Sequence, residues 1–345
     1  MNKKFLFAGL GISGLLIAGI TGLNHYASGQ AKRAVEDALY QWKLDTYIRY
    51  ETVSHNVLTG ATTLSDVTLY HDAFGQVPVD IESARLTGLA FEDEFLTEAT
   101  VQLSSATLPV LDVARKCSSI RCPARYWSNY ILYAGYQNLT VDLSVSFTAD
   151  LEASSVDLAL TGEAPEFGDI AMKVALERTD AARLWETGAP LAANLIQDGN
   201  ILQTLFRGNM KDLQAVIDST RIVELAHLEA SFTDDGLLDR VFASKELDLL
   251  TPAEPDDFRE QLATTAQGHM LTVLEKGSIR PSVAESVSEE WKSFLMEGGE
   301  ISLETRMDRP VRLFQKGGFI GIRPNPELSN PPEFLRRTRL TLEHS

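Results

Sequence analysis

The sequence predicts an α+β fold, largely antiparallel β-sheet with several packed helices, behind one N-terminal transmembrane helix. Three observations carry that expectation. An uncharged run over residues 5–23 follows Lys3 and Lys4. Residues 139–147 alternate strictly, with Leu139, Val141, Leu143, Val145 and Phe147 against Thr140, Asp142, Ser144 and Ser146. Later, Phe258, Leu262, Ala266, Met270 and Leu274 recur at helical spacing. Strand runs punctuated by helix runs indicate α+β with antiparallel pairing.

A hydrocarbon layer about 30 Å thick needs roughly 20 apolar helical residues, which residues 5–23 just supply. A secretory h-region is typically only about 7–15 residues long, so the length favours a retained anchor over a cleaved signal. Ala27, Ser28 and Gly29 provide the small residues that cleavage would use, and five glycines dilute the run. A buried soluble helix is the third reading, disfavoured by the lysine pair. That pair places residues 1–4 in the cytoplasm as a short stub. Residues 24–45 then read as a juxtamembrane helix, with Ala31, Ala34, Val35, Ala38, Leu39 and Trp42 on one side.

Residues 46–345 form the expected periplasmic α+β domain, divisible into a β-rich part (46–178) and a mixed part (179–345). Residues 47–53 and 61–69 read as strands joined by a turn at 56–60. Strands at 77–89, 99–110, 139–147, about 156–160 and 170–176 continue the pattern. Residues 181–197 and 202–217 carry helical apolar stripes. Ala226, Leu228, Ala230 and Phe232 alternate against His227, Glu229 and Ser231, and Asp234-Asp235-Gly236 turns the chain into a second strand over 237–242. Helices follow at 251–276, opened by Pro252 and stopped by Gly277, and at 282–296, ended by Gly298-Gly299. Strands at 300–305, 311–314 and 339–343 close the sheet.

The chain carries 48 acidic and 31 basic residues, a net charge of −17. Its first 45 residues hold five basic and three acidic groups, so the remainder carries −19. Such a body repels phosphate backbones, which excludes nucleic acid as a partner, and repels anionic headgroups. The membrane is therefore held by the N-terminal helix rather than by flat adsorption.

Cys117 and Cys122 are the two cysteines. In an oxidising compartment their spacing reads as a local disulfide contributing about 2 kcal/mol. Free thiols, or a redox pair lacking the spacing of a thioredoxin-type motif, are the alternatives. Tyr126, Trp127, Tyr130, Tyr133 and Tyr136 form an aromatic group that lines a ligand groove or caps a core. Six histidines show no paired ligand spacing, and no nucleophile elbow, P-loop, dinucleotide fingerprint or HExxH occurs. No catalytic residue, metal ligand or cofactor is expected.

Tyr50-Glu-Thr-Val-Ser54, Leu58-Thr-Gly60 and Leu64-Ser-Asp-Val-Thr-Leu69 after the anchor resemble the start of bacterial AsmA-like and YdgA-like envelope proteins. Phe232-Thr-Asp-Asp-Gly-Leu-Leu-Asp-Arg240, Phe294–Leu303 and Arg309-Pro-Val-Arg-Leu313 are similar to the C-terminal half of the YdgA-like group. The resemblance implies a single-pass protein of the bacterial inner membrane with its C-terminal domain in the periplasm. For the AsmA-like branch it also implies an open β-groove linked to lipid handling; this chain is short for that branch. The leading expectation is a non-enzymatic envelope protein that binds lipid or another envelope component. A protein–protein assembly module is the alternative, and an unrecognised periplasmic hydrolase the third reading.

Overall fold

The computed structural model describes residues 28–41, 44–56, 58–70, 76–92, 95–116, 128, 131–182, 222–243, 255–276, 279–305, 307–316, 322–325, 338–339 and 341–345. The expected anchor (5–23), the helices expected at 181–197 and 202–217 beyond residue 182, Trp42 and both cysteines lie outside them. Among the described residues, no helix is long and apolar enough to cross a membrane.

The described residues fall into two compact units. The first draws on 1–132, 136–158 and 179–219, and the second on 133–135, 159–178 and 220–345. Strands pair antiparallel in both, as the alternating patterns predict.

The first unit opens with helix α1 (Ser28–Gln41), followed by β1 (Ile48–Arg49), β2 (Thr52–Asn56), β3 (Ala61–Leu69), β4 (Val79–Glu92) and β5 (Phe95–Leu108). Helix α2 (Val110–Lys116) and strand β6 (Leu139–Asp150) complete it. Strands β3, β4, β5 and β6 are neighbours in that order, and β1 and β2 both pair with β3. The β2–β3 turn is built by Asn56, whose Oδ1 accepts the N–H groups of Leu58 (3.0 Å) and Thr59 (3.3 Å). Gly60 takes the positive φ of +65° that closes it.

The expected juxtamembrane helix ends at Gln41, and its apolar stripe has a use the sequence reading did not assign. Ala31 and Val35 are buried together with Leu64, Val67, Leu86 and Val101 of the sheet. α1 is thus part of the first unit's core rather than a spacer. Leu44, just past the helix, is fully buried, and its carbonyl accepts the N–H groups of Tyr47 and Ile48. The strand expected at 99–110 stops at Leu108, because Pro109 lacks the donor a ladder requires and its carbonyl accepts the Val113 N–H at the start of α2.

Strand β7 (Ser155–Ala164) is divided between the units. The second unit holds β8 (Gly168–Glu177), β9 (Glu224–Asp234), helices α3 (Leu237–Phe242), α4 (Pro255–Lys276) and α5 (Pro281–Glu297), and then β10 (Glu300–Glu304). β11 (Val311–Arg312), β12 (Phe314–Lys316), β13 (Ile322–Pro324) and β14 (Thr341–His344) end the chain. β9 lies between β8 and β10, β10 also pairs with β14, and β12 and β13 form a separate ribbon. Phe232, Phe258, Trp291 and Leu342 pack against buried Leu238, Phe242, Phe294 and Ile301.

One expected strand is a helix. Residues 237–242 form α3, because Asp234 Oδ1 accepts the Leu238 N–H at 3.0 Å and Gly236 adopts φ +109°. Leu238 and Phe242, four residues apart, then face the same aromatic core. A six-residue apolar run fits either period, and capping decided it. Arg259 ties the helices together. Its guanidinium donates to the Leu295 carbonyl and Asp239, and stacks 4.8 Å from the Phe242 ring centre.

Candidate functional site

The two faces of the first unit's sheet have opposite chemistry. The inner face is filled by α1 and aliphatic side chains. The outer face carries short polar side chains in cross-strand rows. In one row Ser54 pairs with Thr63, Thr63 with Arg85, Arg85 with Gln102, and Gln102 with Ser144. In the next, Thr52, Ser65, Ser83 and Ser104 are successive partners.

These rows line an open concavity of about 450 Å³, bounded by Ser54, Asn56, Thr63, Arg85, Gln102 and Ser104, with Ala61 and Ser83 between them. Short side chains at Ser54, Ala61, Thr63, Ser83 and Ser104 leave the hollow around Arg85 and Gln102.

A coordinated break in alternation shapes this face. Core-facing positions step by three rather than two from Leu64 to Val67, from Ile81 to Ala84 and from Leu103 to the partly buried Ala106. Each step adds one outward residue at the same level of the sheet, alongside the paired Ser65, Ser83 and Ser104. Asp66 and Ser105 take φ values of +52° and +51° there. Strand β6 keeps strict alternation, so β5 has one residue more than its partner, a β-bulge. Asp142 of β6 fills the gap, its Oδ1 accepting the Ser105 N–H at 2.6 Å.

Chemically the concavity offers hydroxyls, two amides and one guanidinium. Hydroxyls and amides both donate and accept, while arginine donates only and stays charged. Its lining includes no carboxylate, imidazole or thiol that could serve as a base or nucleophile. The arrangement suits hydrogen bonding and charge pairing.

A second polar cluster lies in the second unit. The Glu224 carboxylate, 12% exposed, receives Arg178 Nη1 at 3.3 Å and Arg312 Nε at 3.2 Å. Glu177, Glu224 and Arg312 are successive register partners, so one carboxylate ties the ends of β8, β9 and β11. Both arginines are mostly exposed and Glu224 is not, which is the geometry of a structural clamp. Thr305, 2% exposed, extends the same sheet: its hydroxyl accepts the Leu228 N–H and donates to the Leu228 carbonyl.

Of the aromatic group, Tyr133 is half exposed and Tyr136 is buried. Tyr126, Trp127 and Tyr130 lie outside the described residues, as do Cys117 and Cys122. Among the described residues, no three histidine, cysteine or carboxylate groups converge as a metal site would require. Sequence reading missed Arg85 and its row. The available signal was the cluster of Ser, Thr, Asn and Gln at outward positions of β2 to β6 around Arg85, with Glu82, Glu98 and Asp142 farther along the strands.

A family profile described as "Uncharacterized protein" matches residues 155–324. The match starts at the first residue of β7 and stops at the last of β13. It includes the Glu224 clamp, whereas the concavity lies outside it. A comparison with curated proteins finds no match.

Proposed function

We propose that this chain is a non-enzymatic protein of the bacterial cell envelope, anchored in the inner membrane through residues 5–23. Its periplasmic domain binds a polar envelope component on the outer face of the first unit's sheet. The observation that carries this reading is the contrast between the two faces. The inner face packs α1 against an aliphatic core, with Leu89, Phe91, Leu143 and Phe147 partly buried along it. The outer face presents an open, hydroxyl-rich concavity without a base beside a nucleophile. A lipid ligand would meet the outer face through its headgroup.

The anchor and the site belong to one arrangement in this reading. Only residues 24–27 separate the proposed span from α1, whose Ala31 and Val35 are locked into the first unit. The domain would thus be held close above the bilayer. Alkaline carbonate extraction followed by chemical crosslinking in membranes tests both parts. The full chain should stay with the membrane and give a reproducible adduct. Release by carbonate, or a purely monomeric crosslinking profile, would count against the reading.

A further inference from the structure

We propose that the Arg85 row binds an oxyanion carried on a hydroxyl-rich ligand, of the uronate or sugar-phosphate kind. This rests on the reading that the outer sheet face is a binding surface, and it names the chemistry that face selects.

Arg85 is the one cation lining the concavity, and like Arg33, Arg115, Arg280 and Arg309 among the described residues it enters none of the ion pairs that other arginines make. Arg178 and Arg312 share Glu224, Arg259 pairs with Asp239, Arg240 with Glu166 and Arg339 with Asp308. Arg49 lies 5.3 Å from the Tyr70 ring centre. Arg85 makes no ion pair among the described residues, although the chain has 48 acidic groups against 31 basic ones. The carboxylates on the nearest strands are engaged elsewhere or stand too far along to pair with it. Asp142 is committed to the Ser105 N–H and Asp80 to the Thr68 hydroxyl. Glu82 stands three residues along β4, roughly 10 Å away at strand spacing.

The guanidinium fork matches the two oxygens of a carboxylate or phosphate and binds them more strongly than a neutral donor would. Thr63 and Gln102 stand on either side of Arg85 in its row, one strand away in each direction. Adjacent strands are about 4.8 Å apart, so these groups reach ligand atoms flanking the anion. A hydroxyl and an amide both donate and accept, as sugar hydroxyls require. A volume near 450 Å³ lies within the range of about 300–1,000 Å³ typical of small-ligand sites. The lining contains one apolar side chain, Ala61, and no aromatic ring, so a neutral or greasy ligand gains little there.

The test is calorimetric titration of the full chain in phosphatidylcholine nanodiscs with galacturonate and glucose 1-phosphate, with galactose as the neutral comparison. At least one oxyanion probe should bind at least about tenfold tighter than galactose, and Arg85→Gln should remove that preference. Arg85→Lys should retain part of it, and Lys173→Gln, in the other unit, should change nothing. Arg85 is exposed, so unchanged thermal midpoints for its variants are expected and can be checked. Absence of oxyanion binding, or equal binding by Arg85→Gln, overturns the proposal. Phosphatidylglycerol in the nanodisc separates the sources. Weakened apparent probe affinity identifies a lipid headgroup as the natural oxyanion, and unchanged affinity a free ligand. A photocrosslinker at Gln102 separates failure of the oxyanion assignment from failure of the binding face. Adducts that persist in Arg85→Gln refute the oxyanion but keep the binding face; absence of adducts in either chain refutes both.

Discussion

The Asp142 carboxylate accepts the Ser105 backbone N–H at 2.6 Å, across the bulge that separates β5 from β6. This bond replaces the ladder bond that the extra residue of β5 forfeits, and it holds Ser105 at φ +51°. It also fixes the level at which Ser83 and Ser104 face the concavity. Asp142→Ala should therefore lower unfolding free energy by about 1 kcal/mol, modest because the site is solvated. Urea denaturation measures it, and Asp142→Asn, which keeps an acceptor, should recover most of the loss.

The Glu224 clamp gives a larger effect. Glu224→Gln leaves Arg178 and Arg312 without their shared charge, but both guanidiniums remain in water and are not stranded. The expected loss is about 1–2 kcal/mol, below the 3–5 of fully buried pairs. Chemical denaturation at low and high salt should show the difference narrowing as salt rises.

Gly168 at the start of β8 has φ +140°, and a Cβ there would lie 2.3 Å from the Thr233 carbonyl oxygen and 2.7 Å from the Phe232 ring. Phe232 cannot withdraw freely, because its ring meets Phe167 and Phe294 edge to face. Gly168→Ala should cost about 3 kcal/mol, combining backbone strain with overpacking. A thermal melt of the purified variant provides the check.

Burial raises the pKa of the Tyr50 phenol above its usual value of 10.0, with the Glu36 carboxylate adding to the effect. The folded state therefore holds this proton at a pH where the unfolded chain releases it. Its contribution to stability is complete below pH 10 and is lost as pH rises through the folded pKa. Unfolding free energy should fall above about pH 10, and Tyr50→Phe should flatten that part of the profile.

Much of the fold was legible from periodicity. The alternation over 139–147 appears as β6, and the Asn56–Gly60 stretch turns the chain as its residue types require. The C-terminal strand pairs with β10 close to where it was expected. Residues 237–242 were misread because so short an apolar run carries both periods, and the Asp234 cap that settles the matter acts through one hydrogen bond. The candidate site was less legible. Each strand's outer residues look like ordinary solvated positions when read alone. Only the register sets Ser54, Thr63, Arg85 and Gln102 side by side. The three-residue apolar steps in β3, β4 and β5 were visible in the chain, but their alignment at one level follows from pairing that local sequence does not encode.

The outer face of the β2–β6 sheet is the surface we propose to bind an envelope component. Photocrosslinking residues placed singly at Ser54, Gln102 and Ser144, in the full chain held in native membranes, address it most directly. One common adduct is expected from all three positions, and none from a crosslinker at Lys173 in the second unit. Equal capture at Lys173, or no capture from the three sheet positions, would contradict it.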